Sequence, residues 1–316
     1  MPSSLLFEVL DVLLPVITKL INLSFELSVF ADDLKEALVL PSLKKHGLDI
    51  AYKKFRPVSP VSNLRYISKL SEKAVTFQLT DHMTPNKLHL LLQSAYKEHH
   101  STESALLKVK NDILMNMDAQ KVTLLVLLDL SAAFDTVLHD ILLDRLRTAI
   151  GVSGKALECF TSYLSGKSQQ VAVNGGLSSS FPLKQGVPQG SCLGPVLLTI
   201  YTSKMFKIVE KHLPSVHCYA DDTRLYVAFS PNQPGDDEAA LKAMSNCLRG
   251  RVPFDQNFRK FRLKIEWNRH FPEIRFENFG SPLEVVLFSK KFGNSGNFLF
   301  HLSFLPGMNW PQFLWL

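Results

Sequence analysis

Residues 216–229 read VHCYADDTRLYVAF. Two runs of strand-forming residues flank Ala220-Asp221-Asp222-Thr223, and the spacing predicts a β-hairpin with two carboxylates at its tip. Adjacent carboxylates repel, and between apolar strands that repulsion is costly unless a cation is present. A solvated turn tolerates the same pair. The hairpin alone therefore leaves a metal role and a plain turn both open.

Working outward, the next informative stretch is VTLLVLLDLSAAFD. Val122 to Leu128 is a continuous apolar run of strand length, as expected for a strand covered on both faces, and it ends at Asp129. A strand ending in aspartate is commonplace, and alone Asp129 reads as a cap or turn residue. The two features together say more. Two strands that each end in aspartate and lie side by side bring their carboxylates to one sheet edge. Hard oxygen ligands converging there suit Mg²⁺, which keeps waters and takes substrate phosphates. Two such ions about 4 Å apart serve phosphoryl transfer.

The rest of the chain reads as alternating helices and loops. Residues 64–83, 101–118, 138–150 and 193–209 carry helical periodicity, the second opening on a candidate cap at Ser101-Thr102-Glu103-Ser104. QQVAV, followed by Asn174-Gly175-Gly176, reads as a strand and turn, and LKQGVPQGS as a glycine-rich loop. Lys44, Lys45, Lys53, Lys54 and Arg56 lie among Tyr52 and Phe55, which suits either phosphate contact or a solvated loop. Residues 231–237 (PNQPGDD) read as a linker or turn. Beyond residue 250 the chain is rich in phenylalanine, holds all three tryptophans, and fits neither helix nor strand periodicity well.

The N-terminal stretch SSLLFEVLDVLLPVITKLINLSFELSVF is apolar, but Glu8, Asp11, Lys19, Asn22 and Glu26 interrupt it and Pro15 sits in its middle. A spanning helix needs about 20 predominantly apolar residues with few or no charges. Leu6, Val9, Leu10, Leu13, Ile17, Leu20 and Ile21 recur near helical spacing, so the expectation is an amphipathic packing helix and no membrane partner.

Composition bounds these readings. The chain has 316 residues, 46% hydrophobic, enough for one large core or two subdomains. Its net charge of +6 suits a phosphate-bearing partner but fits an ordinary basic protein equally well. Cys159, Cys192, Cys218 and Cys247 form no Cys-x-x-Cys pair and no zinc spacing, so they read as reduced thiols of a cytosolic or nuclear protein.

The motifs in order are KEALVLPSLKK, FRPVSPVSNLRYISKLSEK, QSAYKEHHSTESALL, LLDLSAAFDTVLH, SGKALECFTSYLSGKSQQV, GVPQGSCLGPVL and YADDTRLY. From about residue 15 to residue 230 this order and spacing resembles the reverse transcriptase of LINE-type (non-LTR) retrotransposons. The resemblance implies an α+β fold, a right-hand polymerase with fingers and an antiparallel palm sheet. It places an N-terminal helical extension at 1–35, fingers at 36–120, palm with a fingers insertion at 121–235, and a divergent tail at 236–316 that is a remnant of palm end and thumb. The thumb is expected to be incomplete or absent. The endonuclease that usually precedes the polymerase in this family is expected to be absent, with the chain reading as a fragment or a gene made from an element copy.

The same resemblance assigns roles. Asp129, Asp221 and Asp222 match the catalytic, metal-binding carboxylates, which imply two Mg²⁺ ions, with the Leu130 carbonyl as a further metal contact. Phe134 matches the steric gate, whose ring leaves no room for a ribose 2′-hydroxyl. Gln189 and Gly190, with Gly186, match the loop that holds nucleotide and template. Arg56 matches the arginine at the incoming triphosphate. Lys97 stands where related sequences usually carry arginine; it keeps the charge and loses the bidentate fork. Lys264, in QNFRKFRLKIEW, is the candidate general acid for pyrophosphate.

The function implied is RNA-directed DNA synthesis, with RNA template, DNA primer and dNTP as partners. The contrasting reading is a decayed, inactive relic or a nucleic-acid-binding module, favoured by the odd tail and Lys97. A viral-type RNA polymerase also uses a double-aspartate hairpin, but Phe134 argues against it. Localisation between nucleus and cytoplasm is left open.

Overall fold

In a computed structural model of the chain, residues 9–43, 55–58, 63–128, 133–173, 175–188, 190–212, 215–220, 222–250, 262–267, 272–277, 283–292 and 298–303 are described. They form two compact units, one from residues 1–89 and 132–201, the other from 90–131 and 202–316.

The first unit begins with helix α1 (Leu10–Leu27), closed by Ser28 in the left-handed conformation at φ 57°. Leu13, Ile17, Ile21, Ser24 and Phe25 form its covered face, with Ile17 buried. The helix expected from the sequence is present, but Val9 and Leu20, assigned to the packing face, are exposed. The apolar residues of this helix run most of the way round, so periodicity alone does not single out the covered side. Among the described residues no helix is long and apolar enough to cross a membrane.

Strand β1 (Glu36–Leu43) pairs antiparallel with β2 (Phe55–Val58). The basic residues Lys44, Lys45, Lys53 and Lys54, with Tyr52, lie outside the described residues. Helix α2 (Asn63–Met83) follows. After the insertion of the second unit come α4 (His139–Thr148), α5 (Gly154–Leu164) and β4 (Ser168–Val173). β4 runs parallel to β1 and antiparallel to the short strands β5 (Gly176–Leu177) and β6 (Phe181–Pro182). The Val173↔Gly176 pairing is the turn read from Asn174-Gly175-Gly176, although Asn174 itself lies outside the described residues. Helix α5 carries no expectation from sequence periodicity; Phe160, Tyr163 and Leu164 are its buried residues.

The second unit is built on helix α3 (Thr102–Asp118) and strand β3 (Val122–Leu128). The cap expected at Ser101 is a full capping box: Ser101 accepts from the Ser104 amide, and the Ser104 hydroxyl accepts from the Ser101 amide. Helix α6 (Gly194–His212) leads to β7 (Ser215–Tyr219) and β8 (Asp222–Phe229), and α7 (Asp236–Gly250) follows the turn at 231–235.

β3 is covered on both faces, as its unbroken apolar run requires. Val122, Leu124 and Val126 pack with Phe206, Val209, Leu225, Val227, Phe229 and Met244. Leu125 faces the other way, against Val109, Ile113 and Met117 of α3.

The tail departs from expectation. Residues beyond 250 form β9 (Arg262–Trp267), β10 (Pro272–Glu277), β11 (Leu283–Phe292) and β12 (Phe298–Ser303). β9 and β10 make a separate hairpin. β11 pairs antiparallel with β3, giving a five-stranded antiparallel sheet in the order β12-β11-β3-β8-β7. The run Glu284-Val285-Val286-Leu287-Phe288 is strand-forming in composition. A window dominated by the overall phenylalanine content hides it. The thumb expectation falls on this tail, much of which lies outside the described residues.

Candidate active-site elements

The hairpin tip belongs to the second unit. Tyr219 pairs with Asp222, so two residues separate β7 from β8, the first of them Ala220. Ala220 adopts φ 56°, in the left-handed region. For a residue with a Cβ that conformation costs roughly 1–2 kcal/mol, so something must hold it. Gln93 does so. Its Nε2 donates to the Ala220 carbonyl at 3.1 Å and its Oε1 accepts from the Ala220 amide at 2.9 Å. The same Oε1 accepts from the Ala95 amide at 3.1 Å.

β8 lies between β7 and β3, with Leu128 opposite Thr223. The last residue of β3 is thus one register step from Asp222, the first residue of β8. Asp222 is exposed to solvent. Asp129 follows Leu128 directly in the chain, but Asp129, Leu130 and Asp221 lie outside the described residues. Among the described residues no three His, Cys, Asp or Glu side chains group to hold a metal. Of the three carboxylates only Asp222 is described, an exposed carboxylate at the start of β8, and a carboxylate oxygen is the donor type that a hard divalent cation takes.

Behind the tip, His217 of β7 is buried, and its Nε2 lies 2.9 Å from the Ser94 hydroxyl. Burial, with Arg224 beside it, holds this imidazole below the usual histidine range. Farther along β8 the Tyr226 hydroxyl donates to Asp112 Oδ2 at 2.6 Å, and burial together with that carboxylate pushes the phenol up.

The glycine-rich loop belongs to the first unit. Gly186 adopts φ 91°, and a Cβ there would meet the Phe134 carbonyl oxygen at 3.0 Å and the Asp135 Cα at 3.1 Å. Only glycine satisfies both demands. The Gly186 amide donates to the Val137 carbonyl at 2.7 Å, and the Val187 amide donates to the Phe134 carbonyl at 2.7 Å. His139 Nε2 lies 2.8 Å from the Gly186 carbonyl. Two segments read separately from the sequence, around Phe134 and around GVPQG, are thereby joined backbone to backbone. The Phe134 ring is half-buried and Gly190 is exposed at φ 88°. Gln189 lies outside the described residues.

The far end of this loop rests on Glu72 of α2. One carboxylate oxygen accepts from the Cys192 amide at 2.9 Å and the other from the Tyr163 hydroxyl at 2.9 Å. Burial, then Glu72, drives the Tyr163 phenol well above its ordinary range. The Lys167 ammonium sits 3.6 Å from the Tyr163 ring centroid. Burial pushes Lys167 down to about 8, with Glu72 pulling the other way.

The remaining predicted residues lie on other elements. Lys97 is half-buried in a loop where its neighbours Tyr96 and His99 both have positive φ, 57° and 61°. Arg56 lies on β2 opposite Ser42, and Lys264 on β9 opposite Arg275. Sequence reading missed Gln93 and Glu72 as individuals, although both fall inside quoted motifs. The contacts that matter span 127 residues from Gln93 to Ala220, and 91 and 120 residues from Glu72 to Tyr163 and Cys192, so no local spacing announces them.

Comparison with known proteins decides the lineage. The family described as "Reverse transcriptase (RNA-dependent DNA polymerase)" matches residues 43–267. The chain belongs to this reverse transcriptase family. Polymerases of the family generally use divalent metal ions. Among its relatives, a probable RNA-directed DNA polymerase from transposon BS of Drosophila melanogaster is 27% identical over 226 residues, 72% of this chain and 23% of that protein. The RNA-directed DNA polymerase from mobile element jockey of the same fly is 30% identical over 169 residues, 52% of this chain and 18% of that protein. The chain therefore spans less than a quarter of the curated relatives it matches. Apo telomerase from Candida tropicalis aligns with a TM-score of 0.49 at 15% identity, over 80% of this chain and 52% of that one.

Proposed function

We propose that this reverse transcriptase domain adds dNTPs to a DNA primer on an RNA template. In this reading the palm lies within 121–235 and the fingers within 36–120. Asp129, Asp221 and Asp222 hold the metal, with the Leu130 carbonyl as a further ligand. What supports the reading is the register: the end of β3 and the tip of the β7–β8 hairpin lie at the same end of adjacent strands.

A pair of Mg²⁺ ions bound there would activate the primer 3′-hydroxyl and neutralise the leaving pyrophosphate. The chain's own groups do the rest. The Phe134 ring excludes a 2′-hydroxyl. Gln189 and Gly190 let the loop approach nucleotide and template closely. Arg56 and Lys97 offset triphosphate charge, and Lys264 donates a proton to the departing pyrophosphate.

The test is primer extension on an RNA template with dNTP and Mg²⁺, wild type beside Asp222→Asn. The expected result is extension by the wild type and a loss of about a hundred- to thousandfold in the variant. Equal extension by both removes the proposed role. A folded wild type without extension leaves the relic or nucleic-acid-binding reading instead.

A further inference from the structure

Ala220 is the last described residue before Asp222, and both polar groups of its backbone are closed by a single side chain. Gln93 donates to its carbonyl and accepts from its amide, at 3.1 and 2.9 Å. The amide of Gln93 is itself fixed. The residue is 4% exposed, and a parallel bridge joins it to Cys218 of β7. On either side, the Ser94 amide donates to the Cys218 carbonyl at 2.9 Å and the Cys218 amide donates to the Leu92 carbonyl at 2.8 Å. The Ser94 hydroxyl lies 2.9 Å from His217 Nε2. The clamp is thus stitched to the strand that leads into the tip, and it grips the tip by both peptide groups of one residue.

The clamp is also neutral. A lysine here would compete with a cation for the carboxylates, and a glutamate would add to their repulsion. A primary amide offers both a donor and an acceptor group without changing the charge at the tip.

We propose that Gln93 is a positioning residue for metal binding: through Ala220 it fixes the turn that leads from β7 to Asp222 at the start of β8. This rests on the reading of the tip as a metal site. Partners that orient metal ligands typically contribute 10–100-fold to metal affinity.

The test is titration of the full chain with Mn²⁺, without nucleic acid, following the free ion by electron paramagnetic resonance. Wild type, Asp222→Asn and Gln93→Met are compared, the methionine filling the same space without the hydrogen bonds. Both variants should bind Mn²⁺ more weakly, Gln93→Met by about 10–100-fold. Adding Ala220→Gly to Gln93→Met should restore part of the loss, because glycine enters the left-handed turn without a side-chain penalty. In metal-free protein the Ala220 and Asp222 amides should exchange faster in Gln93→Met than in wild type.

Wild-type Mn²⁺ affinity in Gln93→Met, with Asp222→Asn weakened, would overturn the proposal and leave Gln93 as a pin for residues 90–95 only. Wild-type affinity in Asp222→Asn as well would remove the metal site itself, and the proposal with it. Should the methionine variant not fold, Gln93→Asn withdraws the amide by one methylene and carries the same test: weaker Mn²⁺ binding is expected, and unchanged binding overturns the proposal.

Discussion

The hairpin tip at Ala220 and the loop from Gly186 to Gly194 are both irregular backbone, and each is held by a buried side chain from far away in the chain. The tip is gripped by a neutral amide, Gln93. The loop rests on a charged group, Glu72, with Tyr163 and Lys167 packed around it. The difference follows from what each backbone carries. The tip bears two carboxylates, and a third charge beside them would alter their affinity for a cation. The loop bears none between Gly186 and Gly194, so a buried carboxylate there meets an amide and a hydroxyl donor and attracts the Lys167 cation, all of which suit it.

If this is right, the two regions respond oppositely to loss of charge. The largest effect belongs to the tip. Asp222→Asn should cost activity by the hundred- to thousandfold already given while leaving the melting temperature unchanged or slightly higher, since it relieves repulsion between neighbours. A large fall in melting temperature would break the comparison.

The loop should show the reverse, stability lost first. Gly186→Ala forces a Cβ into a left-handed residue and against the Phe134 carbonyl at 3.0 Å. A destabilisation of about 2–3 kcal/mol is expected in denaturant titration. A smaller effect is expected from Glu72→Gln, which leaves either the Cys192 amide or the Tyr163 hydroxyl without an acceptor, at about 1–2 kcal/mol. Stability equal to wild type would mean that the loop does not rest on this carboxylate.

These positions also mark how far the sequence could be read. Features written in neighbouring residues were legible. Ser101-Thr102-Glu103-Ser104 announces a helix cap, although not its reciprocal box, the apolar run 122–128 announces a doubly covered strand, and YADD between strand-formers announces a hairpin. The tail was not legible, because β11 owes its place to pairing with β3, more than 150 residues earlier. The clamps were invisible for the same reason: a glutamine or glutamate becomes a clamp only when folding brings a distant peptide to it. The packing face of α1 was half legible, since its apolar residues extend beyond one face.

The smallest effect sharpens the loop side of the comparison. Lys167 titrates near 8 in the folded chain, against about 10.5 when exposed. Between these values the unfolded chain binds more protons, so stability rises with pH. The contribution is lost as pH falls through 8. Wild type should gain about 1 kcal/mol from pH 8 to pH 9 relative to Lys167→Met. Parallel pH profiles would show that Lys167 is not held in this buried setting.

In the proposed function the end of β3 and the β7–β8 tip together make the metal site of a polymerase. Crystals grown with Mn²⁺ and a dNTP, read by anomalous scattering, test it most directly. The account predicts two peaks about 4 Å apart, ligated by Asp129 and Asp221 with Asp222 adjoining. Peaks elsewhere, or Asp129 and Asp221 carboxylates more than about 8 Å apart, would contradict it.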